Sequence, residues 1–84
     1  MPKITSRNPR DILNEIKWRA LDTSRCEVFY IHRGAPNDTK VVRGDEINEI
    51  GPSFFILRGG TMIPYHRIFR IAYEGKVVYD RVNR

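Results

Sequence analysis

Apolar residues near the start of the chain recur at helical spacing. Four of them fall on a single stripe: Ile12, Leu13, Ile16 and Ala20. The residues just before the stripe are typical of a helix start, because Asn8 can cap, Pro9 suits the first helical position and the Asp11 carboxylate favours a helix N-terminus. The pattern predicts a helix that runs to about Arg19 and packs this stripe on a sheet.

Trp18 does not fall on the apolar stripe. At about 100° per residue, its side chain points away from Ile12 and Leu13. Two interpretations fit this position. Either the helix has ended by then and the indole closes the edge of the core, or the indole faces a ligand.

The pattern changes after the helix to short runs rich in β-branched and aromatic residues, separated by turn residues. The predicted strands cover residues 26–33, 39–43, 53–58, 61–64, 67–73 and 76–81. Residues 44–46 are predicted as a turn, and 47–50 as a connecting segment tucked under the sheet. The predicted fold class is α+β, with one N-terminal helix packed on a curved antiparallel sheet of about five or six strands. Residues 1–8 are predicted as a flexible basic lead-in and 9–84 as a single domain.

The last predicted hairpin permits a calculation of register. A two-residue loop at Glu74-Gly75 sets Arg70 opposite Tyr79 and Ile68 opposite Arg81. Alternation then divides the hairpin into two faces, the first with Ile68, Arg70, Tyr79, Arg81 and His66, the second with Phe69, Ile71 and Val78. Cations beside an aromatic ring are typical of a face that binds nucleic acid. The alternative is an ordinary solvated face on which the tyrosine shields the sheet from water.

The charge of the chain supports a polyanionic partner. Lys and Arg outnumber Asp and Glu by 15 to 10, and the sequence pI is about 9.8. The surplus lies in residues 1–20 and 51–84, whereas residues 21–50 are acidic overall. Neutralised phosphates release counterions, so this composition favours binding to nucleic acid. Surplus arginine for solubility alone is the alternative.

Cysteine content and hydropathy restrict the class of protein further. The single cysteine, Cys26, rules out an intramolecular disulfide and a thiolate zinc cluster, and it is interpreted as a small strand residue. No apolar run approaches the ~18 residues that a membrane span needs, and no signal-peptide pattern opens the chain. The sequence indicates a cytoplasmic protein without metal or cofactor.

The stretch Ile63-Pro64-Tyr65-His66-Arg67-Ile68 places an imidazole next to a guanidinium at the start of a predicted strand. Such a pair is suited to holding a phosphate, because both groups donate hydrogen bonds. Each residue also has a structural alternative. His66 could donate a hydrogen bond to a backbone carbonyl, and Arg67 could pair with Asp80.

An enzyme is the alternative to a binding protein, because two histidines and a lysine can cleave RNA by general acid–base chemistry. His32 and His66 lie on different strands, and Lys40 or Lys17 can stabilise developing charge. The His-x-Thr or His-x-Ser motif of two-histidine phosphoesterases is absent, however, and so are a glycine-rich phosphate loop and a metal-binding carboxylate pair. A binding protein rather than an enzyme is predicted.

Four segments together resemble the RNA cyclic-group-end recognition domain, a small and mostly archaeal family long catalogued as uncharacterised. They occur in the family's order: Ile16-Lys17-Trp18, His32-Arg33-Gly34, Ile63-Pro64-Tyr65-His66-Arg67-Ile68 and Gly75-Lys76-Val77-Val78-Tyr79-Asp80-Arg81. The resemblance covers roughly Pro9 to Arg81. It implies recognition of RNA ends that carry a 2′,3′-cyclic phosphate, in RNA repair or processing, since the domain also occurs fused to RNA-repair and phosphoesterase modules.

The implied ligand assigns roles to residues in these segments. The candidate phosphate-binding residues are His66, Arg67, Arg33, His32, Arg81, Arg70 and Lys17, and the candidate stacking rings are Trp18, Tyr79 and Tyr65. The structural alternatives are that Arg33 and His32 merely end a strand and that Lys17 is a solvated helix residue. A sequence-tolerant nucleic-acid binder and a protein–protein adaptor are the competing functions.

Overall fold

The N-terminal helix α1 spans Pro9–Trp18 and begins where its cap signals predicted. In the computed structural model, which describes residues 3–81, Asn8 Oδ1 accepts a hydrogen bond of 2.9 Å from the Asp11 amide. This bond satisfies one of the amides that a helix start leaves unpaired. Three residues of the predicted stripe are buried: Ile12, Leu13 and Ile16. The stripe therefore packs on the core as expected.

The helix ends at Trp18, close to the predicted end at about Arg19, but two expectations about residues at this end were wrong. Ala20 lies outside the helix, is exposed and has a φ of 55°, so its place on the apolar stripe was wrong. Leu21 packs against the core instead, and its amide donates to the Ile16 carbonyl at 2.9 Å. Trp18 is 83% exposed, so the interpretation that its indole closes the core edge was also wrong.

Within residues 3–81, seven strands follow the helix, and every neighbouring pair is antiparallel. They are β1 Cys26–Ile31, β2 Thr39–Arg43, β3 Ile47–Ile50, β4 Phe54–Leu57, β5 Met62–Pro64, β6 Ile68–Tyr73 and β7 Lys76–Asp80. They form a four-stranded sheet in the order β2-β1-β6-β7 and a three-stranded sheet in the order β3-β4-β5. The α+β class is confirmed, whereas the single curved sheet of five or six strands was wrong.

The second sheet arises from the segment that the sequence had indicated as a connection. Residues Gly44–Glu46 make one turn of 3-10 helix, and the next residues form β3, which pairs with β4. Gly44 passes so close to the 23–25 turn that a Cβ there would lie 2.7 Å from the Thr23 carbonyl oxygen. A larger residue would push the chain apart at this point, so glycine permits the turn that starts the second sheet.

The core lies between the inner face of the four-stranded sheet and a layer made of α1 and the three-stranded sheet. Val28, Ile68 and Ile71 contribute fully buried side chains from the first sheet, and Phe55 contributes one from the second. Tyr30 meets the Phe55 ring edge-on at 6.4 Å between centroids. Each such side chain contributes about 1.5–3 kcal/mol by its removal from water.

The final hairpin keeps its predicted loop but not its predicted register. The two pairs beside the loop agree with the prediction: Tyr73 with Lys76 and Ala72 with Val77. Val78 is then an extra residue, so that Ile71 pairs with Tyr79 and Arg70 pairs with Asp80. Tyr79 consequently packs against the core cluster and does not lie opposite Arg70. The one-residue shift makes the predicted register wrong beyond the loop.

A second irregularity changes the predicted faces of β6. Phe29 of β1 pairs with Arg70 and Tyr30 pairs with Ile68, which leaves Phe69 as an extra residue. Ile68 is fully buried in the core, so it does not share a face with Arg70. Phe69 lies beside Arg70 on the outer face, the side of this sheet to which Phe29 also belongs. The prediction that placed Phe69 on the same face as Ile71, which is fully buried, was therefore wrong.

The residues before the helix contact it through one buried carboxylate. The amide and hydroxyl of Ser6 donate to Glu15 Oε1 at 2.9 and 2.6 Å, and Arg19 Nη1 donates to Oε2 at 2.8 Å. These bonds, the Ser6 hydroxyl above all, lower the pKa of Glu15 from 4.5 to about 2. Ile4 packs against the core nearby. The flexible lead-in over 1–8 stays a prediction, and residues 1–2 and 82–84 of the predicted segments lie outside the described residues.

Replacing this carboxylate should weaken the fold in a pH-dependent way. A lowered pKa means that Glu15 stabilises the fold fully above pH 4.5 and that this contribution is lost as the pH falls toward 2. We therefore expect Glu15→Gln to lower the free energy of unfolding at pH 7 by about 1–3 kcal/mol. Urea denaturation at a series of pH values measures this.

The control is Glu49→Gln, since Glu49 is exposed and makes no ion pair within residues 3–81. The difference between Glu15→Gln and the wild type should shrink below pH 4.5. Equal pH profiles for the wild type and Glu15→Gln would show that the carboxylate does not stabilise the fold.

Candidate functional site

Two segments that are far apart in the sequence leave the four-stranded sheet at the same end. Strands β1 and β6 are antiparallel, and Tyr30 of β1 pairs with Ile68 of β6. The residues that follow β1 and those that precede β6 therefore lie next to each other. The first segment is His32-Arg33, and the second is His66-Arg67. The pairing of the strands thus brings together four of the predicted site residues.

Strand β7 adds a fifth predicted residue at this end. The Arg81 amide donates to the Phe69 carbonyl at 2.8 Å, which extends the pairing of β6 with β7 by one residue. Arg81 Nη1 also donates to the backbone carbonyl of His66 at 2.6 Å. We call the set His32, Arg33, His66, Arg67 and Arg81 the basic end of the sheet.

His66 and Arg67 lie on a turn and not at the start of a strand. Tyr65–Arg67 form one turn of 3-10 helix between β5 and β6, so the prediction of a strand from residue 67 was wrong by one residue. Pro64 ends β5, which is also where the predicted strand over residues 61–64 ends. Both His66 and Arg67 are exposed to solvent. The turn therefore presents their side chains outward.

Tyr65 fixes this turn to the second sheet. Its hydroxyl donates to the Gly51 carbonyl at 2.6 Å, and its ring packs on Phe55 with centroids 5.9 Å apart. Burial raises the pKa of the Tyr65 hydroxyl, which keeps it a neutral donor, while the nearby charge of Arg10 lowers that pKa by a smaller amount. The sequence had indicated Tyr65 as a stacking ring, and the structure places it half-buried beneath the basic end.

Arg10 is a cation that the sequence reasoning did not select. It lies in the first turn of α1, is exposed, and is near enough to Tyr65 to affect its pKa. The first turn of the helix therefore lies in the neighbourhood of Tyr65. No local motif marks Arg10, because only the packing of the helix brings it to the Tyr65 turn.

His32 and Arg33 differ in their surroundings. The His32 ring is half-buried and meets Tyr30 edge-on at 6.4 Å, and its amide donates to the Asp38 carbonyl at 2.8 Å. Arg33 is exposed, and neither it nor Arg67 makes an ion pair within the described part of the chain. These two guanidiniums can therefore bind an anion without first breaking an ion pair with a carboxylate.

Arg70 lies on the outer face, beside the basic end. Its Nε forms an ion pair with Asp80 at 3.2 Å. The sequence had suggested a pairing of Asp80 with Arg67 as an alternative, and the structure pairs Asp80 with Arg70. Its guanidinium carbon also lies 5.6 Å from the Phe29 ring centroid and 5.8 Å from that of Phe69. Such contacts hold the guanidinium plane against the two rings. Arg70 thus has a carboxylate and two aromatic rings as partners on the sheet surface.

The structure does not bring Lys17 and Trp18 to the basic end. Lys17 lines a cleft with Thr23 and Cys26, and Cys26 begins β1 at the opposite end of the sheet. Trp18, next to Lys17, is exposed there. Tyr79 is half-buried against the core. Binding or stacking roles for these residues stay predictions, and Lys17 and Trp18 can contribute only to a second contact site.

The other reactive side chains and the helices of the described residues add nothing that points to a metal, a thiolate or a membrane. Within residues 3–81, no group of three or more His, Cys, Asp and Glu side chains could hold a metal ion. Burial raises the pKa of the Cys26 thiol to about 12, so the thiol stays protonated at neutral pH. None of the described helices has the length and apolar character that crossing a membrane requires. What the basic end offers is an exposed group of hydrogen-bond donors for an anion.

The fold and this site define a small α+β protein with a cationic end on its larger sheet. A family model described as "MJ1316 RNA cyclic group end recognition domain" matches residues 7–81. The match covers nearly the whole chain, so the chain belongs to this family. The resemblance found in the sequence is confirmed.

The relatives of the chain are archaeal proteins. It is 39% identical over 70 residues to a UPF0248 protein of Archaeoglobus fulgidus, covering 82% of this chain and 99% of the relative. UPF0248 proteins of Pyrobaculum islandicum and Thermococcus gammatolerans are 34% and 36% identical, covering 86% and 89% of this chain and 87% and 90% of the relatives. No solved structure matches the chain.

Loss of the Tyr65 hydroxyl should loosen the turn that carries His66. Because the hydroxyl donates a 2.6 Å bond to a part-buried carbonyl, we expect Tyr65→Phe to lower the free energy of unfolding by about 0.5–1.5 kcal/mol, as urea denaturation measures. Tyr79→Phe is the control, since that hydroxyl makes no hydrogen bond within residues 3–81. Equal losses in both variants would contradict the anchoring role of Tyr65.

Proposed function

We propose that this protein recognises RNA ends that carry a 2′,3′-cyclic phosphate and that it binds them at the basic end of the four-stranded sheet. The observation that supports this most is the convergence of two segments, His32-Arg33 and His66-Arg67, at one point of the fold, where Arg33, His66 and Arg67 are exposed and His32 is half-buried. The description of the family names the same class of ligand. The net charge of +5 favours a polyanionic partner.

The chemistry of a cyclic phosphate fits these side chains. A cyclic diester carries one negative charge and has no free 2′- or 3′-hydroxyl, so it needs donors and gains little from acceptors. Imidazole and guanidinium groups are donors of this kind. Arg81 is bonded to the His66 carbonyl and so stabilises the turn that presents His66 and Arg67. This part of the site is therefore formed before the ligand arrives.

Recognition without cleavage is part of the proposal. Each histidine is followed by arginine and then by Gly34 or Ile68, so the chain lacks the His-x-Thr or His-x-Ser motif of two-histidine phosphoesterases. The family description names recognition. The protein would hold cyclic-phosphate ends of cytoplasmic RNA for a separate repair or processing enzyme.

A sequence-tolerant nucleic-acid binder is the second candidate. The outer face favours it, because Arg70 lies over Phe29 and Phe69, and aromatic rings with cations bind single strands of any sequence. Such a binder would need only charge and stacking. An end reader must also distinguish a cyclic phosphate from a 3′-hydroxyl or a linear phosphate.

Titration of short RNA oligonucleotides that differ only at their 3′ termini separates the candidates. At fixed salt, we expect the cyclic-phosphate end to bind more tightly than the hydroxyl or linear-phosphate end. His66→Ala and Arg67→Ala should each weaken this binding by roughly tenfold or more, because a hydrogen bond to a charged group contributes about 1.5–3 kcal/mol. Both residues are exposed, so the melting temperature should change little.

Lys76→Ala is the matched control. Lys76 is an exposed cation of the same sheet, but it pairs with Tyr73 at the end opposite the basic end. Its removal lowers the net charge as Arg67→Ala does, so it reports the non-specific part of the binding. Equal affinity for the three termini would favour the sequence-tolerant binder. Cleavage of an internally labelled RNA that is lost in His66→Ala would establish an enzyme instead.

A further inference from the structure

A cleft opens on the outer face of the sheet, immediately beside the basic end. Its volume is about 520 Å³ and its lining residues are Ile31, Arg33, Asn37, Asp38, Thr39 and Phe69. One side is apolar, with Ile31 and the half-buried Phe69 ring, and the other is polar. A flat heteroaromatic ring with a polar edge has this same division of surfaces.

The polar side of the cleft is built on an unusual turn. Asn37 and Asp38 both adopt left-handed backbone conformations, with φ of 56° and 53°. Asn and Asp adopt this conformation more readily than other residues with a side chain, but two such residues in succession are uncommon. The Gly34 amide donates to Asp38 Oδ1 at 3.3 Å, and the Asp38 amide donates to the Ala35 carbonyl at 2.8 Å. The turn is therefore held in this form by its own hydrogen bonds.

The cleft is continuous with the basic end. Arg33 belongs to both, since it is exposed at the end of β1 and lines the cleft. Arg81 connects them as well, because its amide donates to the Phe69 carbonyl and its guanidinium donates to the His66 carbonyl. A nucleotide whose phosphate lies at the basic end has its base within reach of this cleft.

We propose that the cleft binds the nucleobase of the terminal nucleotide, which stacks on Phe69 and meets Asn37 and Asp38 with its polar edge. This inference rests on the proposed function and deepens it, since the protein would then recognise the terminal base as well as the cyclic phosphate. An amide and a carboxylate offer donors and acceptors to a base edge. Base stacking on an aromatic ring is a common mode of single-strand recognition.

A nucleobase suits the outer face better than a second copy of this chain. Apolar residues are exposed on this face, namely Ile31 at 41%, Val41 at 48% and Val77 at 55%, but the cleft itself is lined by Arg33, Asp38 and Asn37. Charged and polar side chains at the centre of a protein interface are unfavourable unless they are paired. A base approaching with its attached phosphate complements Arg33.

The test is a titration with two RNA oligonucleotides that both end in a 2′,3′-cyclic phosphate. One carries a base on the terminal ribose, and the other ends in 1-deoxyribose, which has no base. For the wild-type protein, removing the base should weaken binding at least about fivefold. For Phe69→Leu, which retains apolar volume without the ring, the two RNAs should bind with nearly equal affinity.

Asn37→Gly supplies a second test that does not depend on the stability of Phe69→Leu. Glycine adopts a φ of 56° without strain, so the melting temperature should stay or rise. Binding of the base-bearing RNA should nevertheless weaken, because the amide is lost. Val77→Ala, on the same face outside the cleft, should leave both affinities unchanged.

Other outcomes overturn the inference in distinguishable ways. If the wild type prefers a cyclic phosphate to a hydroxyl but binds both cyclic-ended RNAs equally, the cleft holds no base and the proposed function survives. If there is no preference for the cyclic end, both proposals fail. A wild-type dimer that dissociates in Phe69→Leu during analytical ultracentrifugation would show that the cleft is an interface between copies of the chain.

Discussion

The pairing of Tyr30 with Ile68 is the constraint on which the rest of the site depends. It joins β1 to β6, although these strands are separated by the whole three-stranded sheet in the sequence. Val28 and Ile71 pair within the same ladder and are fully buried, so a slip of one residue would turn them to solvent. The hydrophobic core thereby fixes the register, and the register in turn fixes which cations meet at the basic end.

Two extra residues shape the surface next to this end. Phe69 in β6 and Val78 in β7 each interrupt a regular ladder. The first brings Phe69 to the outer face beside Arg70, and the second pairs Arg70 with Asp80. Bulges often re-aim side chains beside functional sites. Phe69 lines a cleft together with the Arg33 guanidinium and the polar turn at Asn37 and Asp38.

Local signals in the sequence were reliable where the chemistry is local. Asn8, Pro9 and Asp11 predicted the helix start, and the predicted strands on either side of residues 59–60 and of Glu74-Gly75 do pair as hairpins. The second sheet could not be predicted, because the run Ile47–Ile50 becomes a strand only through pairing with β4. The cleft could not be predicted either, because regular alternation along β6 places Phe69 on the same face as Ile71, and only the irregular pairing with β1 brings it to the outer face. The grouping of His32, Arg33 and His66 depended on a long-range pairing that no local pattern encodes.

Chemical-shift mapping by NMR is the most direct test of where the ligand binds. The uniformly ¹⁵N-labelled protein would be titrated with an RNA oligonucleotide that ends in a 2′,3′-cyclic phosphate. We expect the largest amide shifts at residues 32–39 and 66–69, on the two sides of the basic end. Shifts confined to the far end of the sheet, around Trp18 and Lys76, would contradict this expectation.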